Sequence, residues 1–351
     1  MPNLAIIGAG VSGLSAAFQL KQANIEAQVF EKSRGFSGRA ASRSRKGCRY
    51  DYGANYFKPD SDEVARLIFQ SLPTDDLSPV PGDISVFDED GNISPGDPKQ
   101  NAQAKWNYRS GISTLGKLIV QSGQLDVTRE TRITSLARLD SQWWVNDEKG
   151  RDYGPFDAVL LTAPGPQTVE LLTSVEEFPP VPAMARELSK AEYYCQFAVA
   201  LHFSEPIKMP GDSYALINTD RGHSLAWISH ENRKCGRIPD GESILMAQLS
   251  PEWSEAHYDD EPDSIINYAW KFASDLLPDS LPRPDWGDTQ RWRFAHPHTA
   301  ADPAVLQSGQ EMGLFFAGDA LVGKGRVTRA METGLQAATA IEAHLAMSKQ
   351  G

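Results

Sequence analysis

The first forty residues alternate apolar runs and polar breaks in the order of a βαβ unit. Leu4–Ile7 is a short apolar run, typical of a buried parallel strand. The glycine-rich stretch Gly8–Gly13 follows, and apolar residues then recur at helical spacing over Leu14–Leu20. A second apolar run, Ala27–Phe30, ends at Glu31. The pattern therefore predicts a strand, a tight turn, a helix, a second strand and a terminal acid.

Beyond this unit the chain is richer in predicted strands than in helices. The Pro-, Gly- and Asp-rich stretch from Leu72 to Lys105 indicates the entry into a second domain. The elements predicted after it are strands near Leu125–Leu136 and Trp143–Asn146, at Asp157–Pro164 and between Gln196 and Leu249, an amphipathic helix over Asp263–Leu277, a strand at Leu314–Ala317 and a helix over Ala330–Met347. Because the last strand and helix mirror the first ones, both ends are expected in one sheet.

The fold class that this order predicts is α/β, with a Rossmann-type domain and an inserted β-sheet-based substrate domain. We assign residues 1–72, 106–165 and 288–351 to the nucleotide-binding domain. Residues 73–105 and 166–287 are assigned to the substrate-binding domain.

The glycine-rich turn has the spacing GxGxxG in the right structural context. Gly8 allows the tight turn, Gly10 lets the backbone approach a pyrophosphate, and Gly13 lets the helix pack closely on the strand. The anion would lie on the N–H groups of the helix N-terminus. Glu31 would accept hydrogen bonds from the adenosine ribose, which disfavours a 2′-phosphate there. The alternative is a turn without a ligand, and the motif alone does not separate NAD from FAD.

Composition limits the class of protein. The chain has 351 residues, of which 40% are hydrophobic and 23% charged, and a formal net charge of −12. That charge excludes nucleic acid or an anionic membrane as the main partner. Three separated cysteines argue against a disulfide framework, and no apolar run is long enough to span a bilayer. With no basic leader at the start, we expect a cytoplasmic enzyme that contacts no membrane.

Three further segments carry a family resemblance. Ser37–Ser42, Tyr50–Phe57 and Ala317–Asp319 resemble the flavin-containing amine-oxidase superfamily. The resemblance implies FAD as cofactor and a fold like that of amine oxidases and p-hydroxybenzoate hydroxylase. It also implies that Arg39 neutralises phosphate charge and that Asp319 holds a ribityl hydroxyl. Ser37 replaces the glycine that the family usually carries, and the loop is expected to tolerate this if Ser37 keeps a negative φ.

The resemblance also names the residues expected around the cofactor. The helix that begins near Thr328 would direct its N-terminus at the flavin pyrimidine edge. Ile133 would contact the adenine through its backbone. The full set of predicted cofactor-binding residues is Gly8, Ala9, Gly10, Ser12, Gly13, Glu31, Lys32, Gly38, Arg39, Ala40, Asn55, Tyr56, Ile133, Gly318, Asp319, Arg326 and Val327.

Within the superfamily, the middle of the chain is most similar to the renalase family. The matching segments are Ser110–Leu115, Thr131–Leu136 with Trp143, Phe197–Leu201, His230–Lys234 and Gln290–Arg293. This resemblance implies non-covalent FAD and oxidation of the 2- and 6-dihydro isomers of NAD(P). A hydride would pass to flavin N5, and O₂ would reoxidise the flavin to give hydrogen peroxide. Such a reaction removes no proton from the substrate, so no catalytic acid or base is expected.

Seven residues are predicted on the substrate side. They are Phe57, Lys58, Trp106, Arg109, Tyr214, Arg293 and His296. Since both cofactor and substrate carry pyrophosphates, basic residues must offset the acidic average locally. They cluster at Arg39, Arg43, Arg45 and Lys46 and again at Lys324, Arg326 and Arg329. No metal site is expected, because two histidines across Pro297 make a poor ligand set.

Three alternatives stay open at this stage. An amine oxidase would need an aromatic cage beside the flavin, and Gly323–Arg329 contains no aromatic residue. A flavoprotein with a structural or redox-sensing role would lack a small-molecule donor. A desaturase of carotenoid-like lipids would show a larger hydrophobic insertion. The expected oligomeric state is a monomer or a homodimer.

Overall fold

The computed structural model describes residues 3–348 as two large sheets with helices around them. The strands are β1 (Asn3–Ile7), β2 (Glu26–Phe30), β3 (Ser42–Arg45), β4 (Cys48–Asp51), β5 (Leu77–Pro79), β6 (Ile84–Phe87), β7 (Ile93–Ser94), β8 (Trp106–Tyr108), β9 (Asp126–Thr128), β10 (Ile133–Leu139), β11 (Gln142–Asp147), β12 (Asp152–Phe156), β13 (Ala158–Leu161), β14 (Tyr193–Phe203), β15 (Ala215–Asn218), β16 (Leu225–His230), β17 (Ser243–Leu249), β18 (Trp286–Pro297) and β19 (Leu314–Phe316). The helices are α1 (Val11–Gln22), α2 (Asp62–Arg66), α3 (Pro98–Asn101), α4 (Thr114–Gly123), α5 (Gly165–Leu172), α6 (Val181–Leu188), α7 (Pro251–Ala256), α8 (Pro262–Leu276), α9 (Pro303–Leu306) and α10 (Val327–Ser348).

The five-stranded sheet is parallel throughout and joins the two ends of the chain. Its strand order is β19-β13-β1-β2-β9. Successive side chains of β1 point to opposite faces, so Leu4 and Ile6 pack against α1, α4 and α10, while Ala5 and Ile7 pack against β10–β12, α5 and α6. The Rossmann-type α/β fold predicted from the sequence is confirmed.

The seven-stranded sheet is mainly antiparallel, in the order β18-β14-β17-β16-β15-β6-β7. Phe197, Val199 and Leu201 of β14 face α8 in one core. The alternate residues Ala198 and Ala200 face the β3–β4 hairpin in another. The hairpin therefore packs on the seven-stranded sheet, and its strand β4 contains the first two residues of the Tyr50–Phe57 segment.

The pairing of β18 with β14 favours domain boundaries other than the predicted ones, which remain a prediction. β18 pairs with β14 along its length, although the predicted nucleotide-binding domain begins again at residue 288. Leu171 of α5 and Met184 of α6 pack against the five-stranded sheet, although both lie in the predicted substrate-binding domain. We propose that the boundaries move to about residue 190 and about residue 298.

The structure has two strands where the sequence predicts one. The segment near Leu125–Leu136 splits into β9, which pairs with β2 in the parallel sheet, and β10, which opens an antiparallel meander. Glu130, with φ 52°, turns the chain between them. Within residues 3–348, no helix combines the length and the apolar character that crossing a bilayer requires.

Candidate cofactor and substrate site

The turn after β1 forms a cradle of glycines that fits a pyrophosphate. Gly8 has φ 115°, and a Cβ on Gly13 would lie 2.1 Å from the Gly8 carbonyl oxygen, so the turn requires both glycines. Gly10 has an ordinary φ of −71°, and a Cβ there would meet no atom within 4 Å. Since Gly10 also caps α1 without a side chain, the first N–H groups of the helix stay available to an anion.

Glu31 lies across the cradle at the end of β2. Its carboxylate is buried and accepts hydrogen bonds from the Ala9 N–H at 2.9 Å and from the Ser33 N–H at 2.7 Å. Each carboxylate oxygen keeps a further lone pair for a ribose hydroxyl. Among the other residues predicted at this end, Lys32 is exposed and donates to Gln167, and Ile133 is buried at the start of β10.

Ser37 does not keep the negative φ on which the tolerance of the loop was expected to depend. Ser37 adopts φ 76°, in the left-handed region. The conformation is held because the Ser37 N–H donates to the Ala9 carbonyl, while its hydroxyl donates to the Ser113 carbonyl and accepts from the Gly116 N–H. Three hydrogen bonds of about 1 kcal/mol each offset the cost of a positive φ, which is of the same order. Gly38 follows with φ 56° and contacts Gly10.

The two ends of the chain meet through Arg39 and Asp319. The guanidinium of Arg39 pairs with the Asp319 carboxylate at 2.8 Å and donates to the carbonyls of Phe294 and Ala295. The Tyr193 hydroxyl donates to the same carboxylate at 3.0 Å. Asp319 therefore neutralises Arg39 in this arrangement, and the predicted contact of Arg39 with a phosphate stays a prediction.

Lys58, Lys105 and Arg326 form a group that we call the basic cluster. Burial lowers the pKa of Lys58, and the neighbouring charges of Lys105 and Arg326 lower it further. The Lys58 ammonium donates to the Gln100 carbonyl at 2.7 Å and lies 5.8 Å from the centre of the Tyr56 ring. The Lys58 carbonyl accepts from the Thr328 hydroxyl in the first turn of α10, which begins at Val327. Lys58 and Arg326 thus lie beside Tyr56, and the charge of Lys105 acts on Lys58.

An aromatic cluster of Tyr56, Tyr214 and Trp227 lies next to the basic cluster. The ring centres are 6.1–6.3 Å apart. The Tyr214 hydroxyl, the Trp227 indole N–H and the Asn55 side-chain oxygen are buried, and none has a hydrogen-bond partner among residues 3–348. Buried polar atoms of this kind are expected where a ligand supplies the partner. Burial also raises the pKa of Tyr214 well above its usual range, so its hydroxyl is protonated.

The remaining predicted substrate residues do not form one group with the basic cluster and the aromatic cluster. His296 contacts Gly325 next to the basic cluster, and its ring packs edge-on against Tyr194. Phe57 is buried against Tyr108, and its backbone pairs with that of Trp106. Arg109 and Arg293 are exposed, and among residues 3–348 neither donates a side-chain hydrogen bond to a predicted site residue.

Part of the predicted basic charge is engaged elsewhere. Arg43 pairs with Asp288 at 2.6 Å, and Arg45 donates to the Gly287 carbonyl, so both bind the start of β18. Arg329 pairs with Asp60 and Glu332. Of these two predicted clusters, Arg326 alone joins the basic cluster.

Sequence reasoning missed a group of buried charges behind the aromatic cluster. We call Asp51, Glu231, Lys234 and Arg237 the buried ion cluster. Lys234 bridges the two carboxylates at 2.9 and 2.7 Å, and Arg237 contacts both carboxylates at 2.5 and 3.5 Å. The cluster joins β4 to the segment after β16. Two segments that carry the family resemblances contain three of its members, Asp51 in Tyr50–Phe57 and Glu231 and Lys234 in His230–Lys234, but neither segment indicates their burial.

The cradle and the acid after β2 together define a dinucleotide-binding site of the Rossmann type. The comparisons with known proteins give the family. Residues 108–342 match the model of the flavin containing amine oxidoreductases, and residues 6–72 match that of the NAD(P)-binding Rossmann-like domain. Because the first match covers more than half of the chain, the protein belongs to the flavin-containing amine oxidoreductase family, and FAD is its cofactor.

Individual relatives are distant. Protoporphyrinogen oxidase 2 of Arabidopsis thaliana is 38% identical over 66 residues, which are 19% of this chain and 13% of that protein. A crystal structure from Exiguobacterium sp. 255-15, assigned as a protoporphyrinogen oxidase, covers 98% of this chain and 99% of its own with a TM-score of 0.80 at 14% identity. Cyclohexylamine oxidase from Brevibacterium oxydans IH-35A covers 98% and 99% with a TM-score of 0.74 at 16% identity. At these identities the two structures show the fold alone.

Proposed function

We propose that the protein is an FAD-dependent oxidase of the 2- and 6-dihydro isomers of NAD(P), with O₂ as the electron acceptor. The observation that carries the proposal is the basic cluster beside the aromatic cluster. A dihydronicotinamide dinucleotide has an uncharged reacting ring and a pyrophosphate with two negative charges. The aromatic cluster suits the ring, and the basic cluster suits the pyrophosphate.

The chain's own residues bind and orient such a substrate. Bound FAD supplies the redox chemistry, because its ring system takes two electrons from a donor and passes them to oxygen. Tyr56, Tyr214 and Trp227 pack closely enough to exclude water from one side of the site. Arg326 and Lys58 hold the charged part of the substrate against the first turn of α10.

No residue needs to accept a proton in the proposed reaction. Burial lowers the pKa of His296, and the charges of Arg326 and Arg39 lower it further. A lowered pKa favours the uncharged imidazole at neutral pH, so His296 adds no positive charge beside Arg326. The substrate is oxidised by loss of a hydride, which leaves no proton behind.

Amine oxidation is the second candidate, and the aromatic cluster favours it. Aromatic faces bind organic cations, and cyclohexylamine oxidase shares this fold. The basic cluster opposes it, because an ammonium substrate would meet the like charges of Lys58 and Arg326. Anionic substrates are therefore the better fit.

Replacing Lys58 tests the proposed role of the basic cluster. In Lys58→Met, we expect the KM for 2- or 6-dihydro-NAD to rise about tenfold, or about 1.4 kcal/mol, with kcat changed less than twofold, because a charge contact made equally in ground and transition states is lost. Oxygen uptake measures both constants. The KM for dihydronicotinamide riboside, which has no phosphate, should stay unchanged.

Lys149→Met is the matched control, since Lys149 is an exposed lysine in the turn between β11 and β12. The proposed contact is refuted if Lys149→Met raises the KM equally, or if the riboside is affected as much as the dinucleotide. If amines alone support oxygen uptake in the wild type, the amine-oxidase candidate replaces the proposal.

A further inference from the structure

Three metal-ligating side chains meet where the β3–β4 hairpin packs on the seven-stranded sheet. Cys48 begins β4, His202 lies near the end of β14, and Glu242 directly precedes β17. One ligand atom of each lies within 4.8 Å of the others. The His202 Nε2 is 2.8 Å from the Glu242 carboxylate, and the Cys48 Sγ is 3.5 Å from the same oxygen. We call these residues the Cys-His-Glu triad.

The triad and His296 lie at opposite ends of the β14–β18 pair. β14 places Tyr194 opposite His296 and His202 opposite Trp286. His202 lies eight positions after Tyr194 on the strand, which corresponds to roughly 26 Å at about 3.3 Å per residue. The triad therefore cannot contact His296, although β4 connects Cys48 to Asp51 of the buried ion cluster.

The ring of His202 is held in one orientation by its surroundings. It stacks on Trp286 with ring centres 4.7 Å apart and planes inclined by 11°. Its Nδ1 lies 3.5 Å from the Asp285 carboxylate, and Asp285 is fixed by the N–H and hydroxyl of Ser204. A carboxylate on one ring nitrogen directs the other nitrogen toward a metal, as in many protein metal sites. Nε2 is the nitrogen that faces Cys48 and Glu242.

Burial and access suit a bound ion. Cys48 and His202 are buried, which excludes competing water from two ligands. The Glu242 side chain is 33% exposed, so an ion can enter from that side, and a solvent molecule can occupy a fourth position. Among residues 3–348, His202 Nδ1 has no hydrogen-bond partner, and a metal on Nε2 would leave the ring proton on Nδ1, where it can be donated to Asp285.

We propose that Cys48, His202 and Glu242 bind one Zn²⁺ ion, or another thiophilic divalent ion, through Sγ, Nε2 and a carboxylate oxygen. Thiolate and imidazole ligands select zinc over magnesium or calcium. Bond lengths of about 2.0 to 2.3 Å in a tetrahedral site place ligand atoms about 3.3 to 3.5 Å apart. The Sγ–Oε2 distance of 3.5 Å matches this spacing, whereas Nε2 and Oε2, which are 2.8 Å apart, must separate by about 0.5 Å to admit the ion. On binding, the thiol proton leaves to solvent and the Cys48 thiolate becomes a ligand.

The bound ion would tie three separate segments together. It would fix the hairpin, which leads directly into the Tyr50–Phe57 segment of the site, to β14 and to the start of β17. The expected consequence is a higher Tm of the FAD-loaded protein with zinc than after chelation.

Metal content and a cobalt spectrum test the site in the full-length, FAD-loaded protein. After chelation, addition of Zn²⁺ and gel filtration, we expect one zinc per chain in the wild type and at least tenfold less in Cys48→Ser. Co²⁺ in place of zinc should show the intense thiolate-to-cobalt absorption, which Cys48→Ser removes. In Asp285→Asn, we expect zinc affinity to fall about 10- to 100-fold.

Cys235→Ser is the matched control, because Cys235 is an exposed cysteine outside the triad. It should keep the zinc and the cobalt absorption. The proposal is overturned if the wild type retains no zinc, if the cobalt complex lacks the thiolate absorption, or if Cys235→Ser lowers the zinc content as much as Cys48→Ser. The cobalt spectrum of the wild type decides the question even if Cys48→Ser fails to fold.

Discussion

Gly10→Ala should leave the protein folded and remove its FAD. Gly10 has φ −71°, which alanine adopts readily, and the added Cβ would meet no protein atom within 4 Å. The methyl group would instead occupy the space into which a pyrophosphate must come to reach the first turn of α1. We expect the dissociation constant for FAD to rise at least 100-fold, about 2.7 kcal/mol, while the urea midpoint of the apoprotein stays unchanged. Fluorescence titration of the apoprotein with FAD measures the first quantity.

Two glycine variants control this result. Gly35→Ala also adds a methyl group in open space without a strained φ, and it should bind FAD normally. Gly13→Ala should unfold the cradle itself, because its Cβ would lie 2.1 Å from the Gly8 carbonyl oxygen. If Gly10→Ala retains wild-type affinity for FAD, the cradle does not hold the pyrophosphate.

The largest stability effect is expected for Asp51→Asn. Asp51 is fully buried and accepts from Ser42, from Asn107, from the Ile112 N–H and from both cations of the buried ion cluster. Removing its charge leaves Lys234 and Arg237 with Glu231 as the one carboxylate in the cluster. Breaking a buried ion pair in this way costs about 3–5 kcal/mol of the free energy of unfolding, which urea denaturation measures.

A second substitution makes this prediction specific. Lys234→Met, combined with Asp51→Asn, removes one cation as well and leaves the balanced pair of Glu231 and Arg237. We expect the double variant to be more stable than Asp51→Asn alone. If the double variant is no more stable than Asp51→Asn, the loss of stability comes from packing rather than from the balance of charges.

The same carboxylate predicts a dependence on pH. Burial alone would raise the pKa of Asp51, but Lys234 and Arg237 outweigh burial and hold the pKa well below its usual range. The unfolded carboxyl has a pKa of about 3.9, so the stabilisation is complete above that pH and declines as the pH falls below it. The wild type should therefore lose stability more steeply than Asp51→Asn on acidification below about pH 4.

The parts of the fold that local pattern determines could be predicted from the sequence. β1, α1 and β2 follow from apolar periodicity, and the cradle follows from glycines whose spacing has a steric reason. The pairing of β18 with β14 could not be predicted, because contacts between strands about ninety residues apart leave no local signal. Ser37 is a similar case: its left-handed φ depends on hydrogen bonds to Ala9, Ser113 and Gly116.

The site was predicted less completely than the fold, for a physical reason. Charged residues usually lie at the surface, so the sequence gives no indication that Lys234 and Arg237 are buried. Their burial is stabilised by ion pairs with Asp51 and Glu231, which come from a distant part of the chain and from the same segment. The Cys-His-Glu triad brings together positions 48, 202 and 242, which no sequence spacing connects. Lys58 and Arg326 were predicted individually, but their convergence with Lys105 depends on how α10 packs.

Anaerobic rapid mixing of the FAD-loaded protein with candidate donors tests the proposed function most directly. The absorbance of the oxidised cofactor should fall within seconds with 2- or 6-dihydro-NAD, and it should not fall in that time with cyclohexylamine or putrescine. Admission of O₂ should restore the absorbance and release hydrogen peroxide. A cofactor that stays oxidised with both isomers but is reduced by an amine would contradict the proposal.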